Sequence, residues 1–242
     1  MTLCNTQTSY VLGLAFSLFP EELEAAAANH LITLIESGDY HMKTGFSGIG
    51  QLLPALSGHG YTDAAYRLLL QEEAPSLLYQ VKQGATTTWE LWNGYKEEPD
   101  GTYYLDGSFN HYTYGTSAGF LYTDVLGIKS DETAPGYQHI LLEPKTSEYL
   151  TFAKGSYESM YGTICCEWKL TEKGYQYSFE IPANTTATLI LPALPNDQTY
   201  LESGKAAGKA EGVTLITESN EGSEDRILYK LVSGSYCFTV SD

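Results

Sequence analysis

Basic residues are scarce in this sequence: 13 lysines and arginines stand against 30 aspartates and glutamates, a formal net charge of −17. A surface of that sign repels phosphate backbones and anionic headgroups, which excludes nucleic acid and membranes as partners and favours neutral ligands. Long hydrophobic runs are missing too, and none approaches the roughly 20 residues that span a bilayer. The opening residues M-T-L-C-N-T-Q-T lack the basic stretch and apolar stretch of a secretory signal. A cytoplasmic location is therefore expected, although a start lacking upstream residues would also lack an export signal. Cysteine is sparse, and Cys4, Cys165, Cys166 and Cys237 show neither C-x-x-C nor Cys/His ligand spacing. Cys165 and Cys166 would point to opposite faces of a strand. Free thiols are expected rather than a metal site, with a disulfide between distant cysteines left open. Asp100 and Asp106 lack the alternating oxygen-ligand pattern of a calcium loop. No metal or cofactor is expected, and there is no repeat or low-complexity stretch.

Aromatic residues, by contrast, are plentiful. The 20 tyrosines fit a β-rich surface or carbohydrate contacts, with β-structure the weightier reading. The first half of the chain has helical periodicity. Tyr10, Val11, Leu14, Leu18 and Phe19 recur at three- and four-residue steps, predicting a helix from Thr6 to Phe19. Pro20 opens a second helix, with Glu21, Glu22 and Glu24 at its positive end and Gly38 as its stop. A third runs through Leu52, Leu53 and Leu56, with Pro54 near its first turn, and a fourth is capped by Thr62. Pro75 starts a short fifth helix that ends at Gly84, residues 94–107 read as a loop, and a last helix covers Gly115 to Leu126. At S-D-E-T-A-P-G-Y, residues 130–137, period gives way to alternation, and strands follow from Tyr137. Ile164, Cys166, Trp168 and Leu170, a T-E-K-G turn, then Tyr175, Tyr177, Phe179 and Ile181 make a hairpin with one buried face. Further strands at Ala187–Leu191, Val213–Ile216, Ile227–Leu231 and Tyr236–Val240 predict an antiparallel sandwich. The fold class is α+β in two domains, 1–130 helical and 131–242 β.

Chemistry concentrates between Gly84 and Gly115. Glu90 sits between Trp89 and Trp92, and His111 lies among Phe109, Asn110, Tyr112 and Tyr114. A sugar presents apolar C–H faces to aromatic planes and polar edges to carboxylates, imidazoles and amides. Glycosidic bonds are hydrolysed by carboxyl pairs, and Glu90 is a candidate for one member; the competing reading is a surface glutamate beside core tryptophans. His41 and the Gly45–Phe46 pair lie at a helix junction, where His41 is more simply a loop residue. His30 and His59 are assigned to structure.

The segments G-A-T-T-T-W-E-L-W, S-F-N-H-Y-T-Y-G, T-G-F-S-G-I-G-Q-L-L-P-A-L and A-P-G-Y resemble the C-terminal part of bacterial α-L-rhamnosidases, glycoside hydrolase family 78. The I-P-A-N-T-T-A-T-L-I-L-P run resembles the β-sandwich that closes such chains. The resemblance covers nearly the whole sequence. It implies about half of an (α/α)6 barrel followed by that sandwich. It also implies inverting hydrolysis of terminal α-L-rhamnosides, with Glu90 as general base and His111, Trp89, Trp92 and Phe46 at the sugar subsite. The ligand implied is an L-rhamnose-containing glycan or glycoside. The family's general acid lies upstream of the position matching Thr6, so a chain with a base but no acid, inactive alone, is expected. The alternatives are a non-catalytic carbohydrate-binding or structural remnant, or an assembly in which a second copy or a separate N-terminal half covers the open barrel face.

Overall fold

The computed structural model describes residues 4–194, 198–219 and 226–241. The chain divides after Phe120 into two compact units.

The first unit is helical. Helix α1 (Gln7–Ala15) begins with a capping box in which Thr6 and Ser9 satisfy each other's backbone donors. It ends four residues before Phe19. Ser17 takes a left-handed φ of 49°, and the Leu18 and Ser17 amides bond back to Gly13 and Leu14, a Schellman closure. Leu18, which the apolar spacing placed in the helix, is therefore exposed. Helix α2 (Glu21–Glu36) follows Pro20 and carries the three glutamates in its first turn. Its left-handed exit falls on Asp39 and Tyr40, not on Gly38. In α3 (Ile49–Gly58), Pro54 is an interior residue beyond the first turn, where its missing N–H forgoes an intrahelical bond. Helix α4 (Thr62–Leu69) has Tyr61 at its cap position, so Thr62 is helical and caps nothing with its side chain. Helix α5 (Leu77–Lys82) is capped by buried Ser76, whose hydroxyl accepts the Tyr79 amide at 3.1 Å. The predicted loop instead forms a small antiparallel hairpin, β1 (Tyr95–Glu97) with β2 (Tyr103–Leu105), closed around the Pro99–Asp100–Gly101 turn. Helix α6 (Tyr112–Gly115) starts earlier than predicted and passes into a 3-10 turn. Val11, Leu31, Ile35, Met42, Ile49, Leu52, Leu53 and Tyr66 form the core of this unit, each fully out of solvent.

The second unit opens with one π-helical turn, Leu121–Val125, and continues, among the described residues, as nine strands. They are β3 (Ile128–Ser130), β4 (His139–Leu142), β5 (Phe152–Ser159), β6 (Gly162–Thr171), β7 (Gly174–Pro192), β8 (Thr199–Glu202), β9 (Lys205–Ala206), β10 (Val213–Ser219) and β11 (Arg226–Ser241). The first of them precedes Tyr137. Two pairs of separately predicted strands are halves of continuous ones: the second half of the hairpin runs on through Ala187–Leu191 as β7, and Ile227–Leu231 joins Tyr236–Val240 as β11.

These two long strands build the sandwich. The first half of β7 pairs with β6, and its second half with β4, the one parallel pairing among the described strands. Strand β11 follows it, its register shifting between Val232 and Gly234, and pairs with β10 in one half and β8 in the other. Both strands thus bend from one layer into the next. The faces meet over Ile164, Cys166, Trp168, Phe179, Leu189 and Leu231, with the Tyr229 and Phe238 rings 5.6 Å apart. Trp168 is wholly buried and donates its indole N–H to the Val125 carbonyl at 2.7 Å. Leu170 continues the same alternation but is 43% exposed, because the β6–β7 hairpin outruns the core. All four cysteines are free, and burial pushes the Cys166 thiol well up from its ordinary range.

Candidate functional site

Two stretches of irregular backbone in the helical unit are stitched together by hydrogen bonds. The Glu90 amide donates to the Ser108 carbonyl at 2.8 Å, and the His111 amide donates to the Thr88 carbonyl at 2.9 Å. The Thr88 hydroxyl donates to the His111 carbonyl at 2.8 Å, and the Thr87 hydroxyl to the Phe109 carbonyl. This stitching follows from the T-T-T run, whose hydroxyls bond backbone groups of the facing segment. The spacing in sequence between Glu90 and His111 is spanned by the β1–β2 hairpin, which returns the chain to the same place.

Glu90 is half-buried, and its Oε2 accepts the Ser108 amide at 2.8 Å. Gly107, at a left-handed φ of 76°, lets the backbone pass beneath, where a Cβ would lie 3.3 Å from that oxygen. Only Oε2 is held by a protein donor among the described residues, which leaves Oε1 available to a water or a hydroxyl. Burial raises the Tyr114 phenol above its ordinary pKa, and the nearby Glu90 charge raises it further. It therefore remains a neutral donor at physiological pH.

Aromatic rings form a continuous set beside this carboxylate. Phe46 stacks on the His111 imidazole with centroids 4.6 Å apart and planes within 16°. Tyr114 touches Phe46 at 5.3 Å and Trp92 at 4.0 Å. Phe46 is 46% exposed, while His111 and Trp92 are half-buried, so the set presents ring surface to solvent. Trp89 is different: only 4% exposed, it packs on Phe109 at 4.6 Å and supports the segment from behind. The His111 Nδ1 accepts the Thr113 amide at 3.4 Å as a helix N-cap. In the neutral ring the proton therefore sits on Nε2.

The other histidines make structural hydrogen bonds away from Glu90. His41 Nδ1 donates to the Gly38 carbonyl at 3.0 Å, closing a turn. His59 pairs with Glu24 at 2.9 Å, and His30 meets Asn5 at 2.7 Å. Among the described residues no group of three or more His, Cys, Asp or Glu side chains is arranged to hold a metal. A cavity of about 420 Å³ on the β unit, lined by Lys154, Ser156, Cys165, Glu167 and Glu180 among others, contains none of the predicted site residues. Sequence reasoning gave no role to Ser108, although it opens the S-F-N-H-Y-T-Y-G segment, because it is its backbone amide that meets Glu90, and gave none to Gln80, which belongs to no recognisable pattern.

Comparison with known proteins agrees with the motifs. The family model of the bacterial alpha-L-rhamnosidase 6 hairpin glycosidase domain matches residues 2–125, and that of the bacterial alpha-L-rhamnosidase C-terminal domain matches residues 127–206. An alpha-L-rhamnosidase of Streptomyces avermitilis is 34% identical over 238 residues, covering 98% of this chain and 22% of that protein. One from Alteromonas sp. is 36% identical over 229 residues, covering 91% of this chain and 25% of that protein. Among solved structures, the S. avermitilis enzyme complexed with L-rhamnose superposes with a TM-score of 0.81 at 33% identity, over 98% of this chain and 22% of that one. The Dictyoglomus thermophilum alpha-L-rhamnosidase gives 0.83 at 26% identity, over 98% and 25%. The architecture, a set of helices followed by a strand-rich sandwich, is that of a six-hairpin glycosidase domain with its C-terminal domain. This chain belongs to the bacterial alpha-L-rhamnosidase family. It spans 22% and 25% of the length of the two curated relatives.

Proposed function

We propose that this chain carries the base side of an inverting α-L-rhamnosidase site, with Glu90 activating the water that attacks the anomeric carbon. The observation that carries the reading is the Glu90 carboxylate, clamped at Oε2 by Ser108 beside the ring set of Phe46, His111, Tyr114 and Trp92. A sugar ring laid on that set would place its apolar face on Phe46 and Trp92 and offer a hydroxyl to His111 Nε2. Trp89 backs the segment without touching the ligand. The similarity to an enzyme crystallised with L-rhamnose supports rhamnose as the sugar. Inversion requires the second carboxyl group roughly 6.5–9.5 Å from the first, leaving room for the water. Because the chain spans 22% and 25% of its curated relatives' length, the reading includes a proton donor supplied from outside it.

Hydrolysis of p-nitrophenyl α-L-rhamnoside by the purified chain, with Glu90→Gln as control, tests this. Negligible turnover is expected from the chain alone. Turnover abolished by Glu90→Gln would keep the base and overturn the external donor. Turnover untouched by Glu90→Gln would overturn the base, since a general base contributes about 10²–10⁴-fold.

A further inference from the structure

We infer that Gln80 is the positioning residue for Glu90. Gln80 is the buried side chain of α5, only 2% exposed, and both ends of its amide are used on the same short segment. Its Oε1 accepts the Trp89 amide at 3.2 Å, and its Nε2 donates to the Leu91 carbonyl at 3.3 Å. One side-chain amide thus holds the residues before and after Glu90, taking the Trp89 N–H and the Leu91 carbonyl across the bend between them. The Glu90 amide donates in turn to Ser108. Held by Gln80 on its flanks and Ser108 at its own amide, Glu90 has its backbone fixed, and the carboxylate meets the Ser108 N–H as a consequence.

A second buried glutamine in this unit also brackets one residue, with the opposite polarity. Gln7, also buried, donates from Nε2 to the His41 carbonyl at 3.1 Å and accepts the Lys43 amide at its Oε1 at 2.8 Å. There the bracketed residue is Met42, wholly buried in the core. Gln7 thus ties the carbonyl before Met42 to the amide after it, whereas Gln80 ties the amide before Glu90 to the carbonyl after it and so holds the bend that carries the carboxylate. An amide suits the task because it pairs an acceptor and a donor at fixed spacing, and because a buried backbone group left unpaired is costly.

The significance of Gln80 rests on the reading of Glu90 as the base, but its geometry can be measured without turnover. The probe is the Ser108 amide proton of the full chain in ¹H–¹⁵N spectra, displaced downfield by its charged acceptor. Glu90→Gln marks the position of that signal when the charge is lost. Gln80→Met, which keeps the volume and removes both hydrogen bonds, is expected to move the Ser108 signal most of the way to that position. Gln80→Glu is expected to leave it near the wild-type position, because burial keeps the acid neutral and restores one acceptor and one donor. Gln7→Met, the control for general loosening, is expected to leave it unmoved. A Ser108 signal unchanged in Gln80→Met overturns the proposal, as does an equal displacement in Gln7→Met. If Gln80→Met does not fold, Gln80→Glu decides alone, a signal at the Glu90→Gln position being the contrary result. None of these outcomes depends on hydrolysis, so the positioning role can fail while the base assignment stands, and the reverse.

Discussion

Glu143 shows how single residues set the pH response. Its burial favours the protonated acid, but Lys129 at 3.2 Å, Lys145 at 3.0 Å and Arg226 at 2.7 Å more than offset that, and the carboxyl lies below its ordinary range. With the folded pKa below the unfolded value of about 4.3, the unfolded chain binds the extra proton. The contribution is therefore complete above the unfolded pKa and lost as pH falls through the folded one. Glu143→Gln should cost about 1–3 kcal/mol at pH 7 by urea unfolding, with the difference from wild type closing as the pH drops below the unfolded value. A difference independent of pH would contradict the ion cluster. At the same scale, several members of the candidate site are legible as candidates: Glu90, Trp92 and His111 stand out by residue type, and Phe46 by its place at a helix junction. Gln80 did not, because a glutamine in a short helix reads as a solvated residue and only its tertiary partners reveal it. Trp89, buried at 4% exposure, fits the competing reading of core tryptophans beside Glu90.

Elements were read well where period was long and poorly where backbone geometry decided. The helices α2 and α3 announced themselves, whereas the end of α1 depended on a serine adopting a left-handed turn that spacing cannot show. The β1–β2 hairpin reads as a loop in the sequence because strands of three residues carry too little alternation. The halves of β7 and β11 were read apart because Pro182–Asn184 and Gly234 look like punctuation, yet in a sandwich such residues are where a strand bends between layers. A glycine makes the complementary point. Gly127 has a φ of 69°, and a Cβ there would lie 2.1 Å from the Glu143 carbonyl carbon and 2.2 Å from Pro144 N. Both obstacles are backbone, so Gly127→Ala should destabilise the β unit by about 3 kcal/mol or more, read as a lowered thermal midpoint by circular dichroism. A wild-type midpoint would show that this turn is not closely packed.

Across the whole molecule, the charge of −17 sets a background of self-repulsion on both units. Salt that screens it should raise the thermal midpoint; a screening gain of about 1 kcal/mol corresponds to about 2–4 °C for a chain of this size. A midpoint that falls with salt would place more weight on favourable ion pairs than the acidic excess suggests. Fold class and family were plain in the sequence because long motifs and two successive periodicities agreed. The arrangement of Glu90 in a Ser108 clamp was not, because it is made of backbone groups that every residue possesses. The most direct test of the sugar site is a titration of the ¹⁵N-labelled chain with L-rhamnose, with D-glucose as the comparison sugar. Saturable shifts of the Trp92 indole, His111 and Ser108 signals with L-rhamnose, weakened by Trp92→Ala and absent with D-glucose, are the predicted result. Signals in that set that stay fixed at all L-rhamnose concentrations, or shifts confined to the β unit, would contradict it.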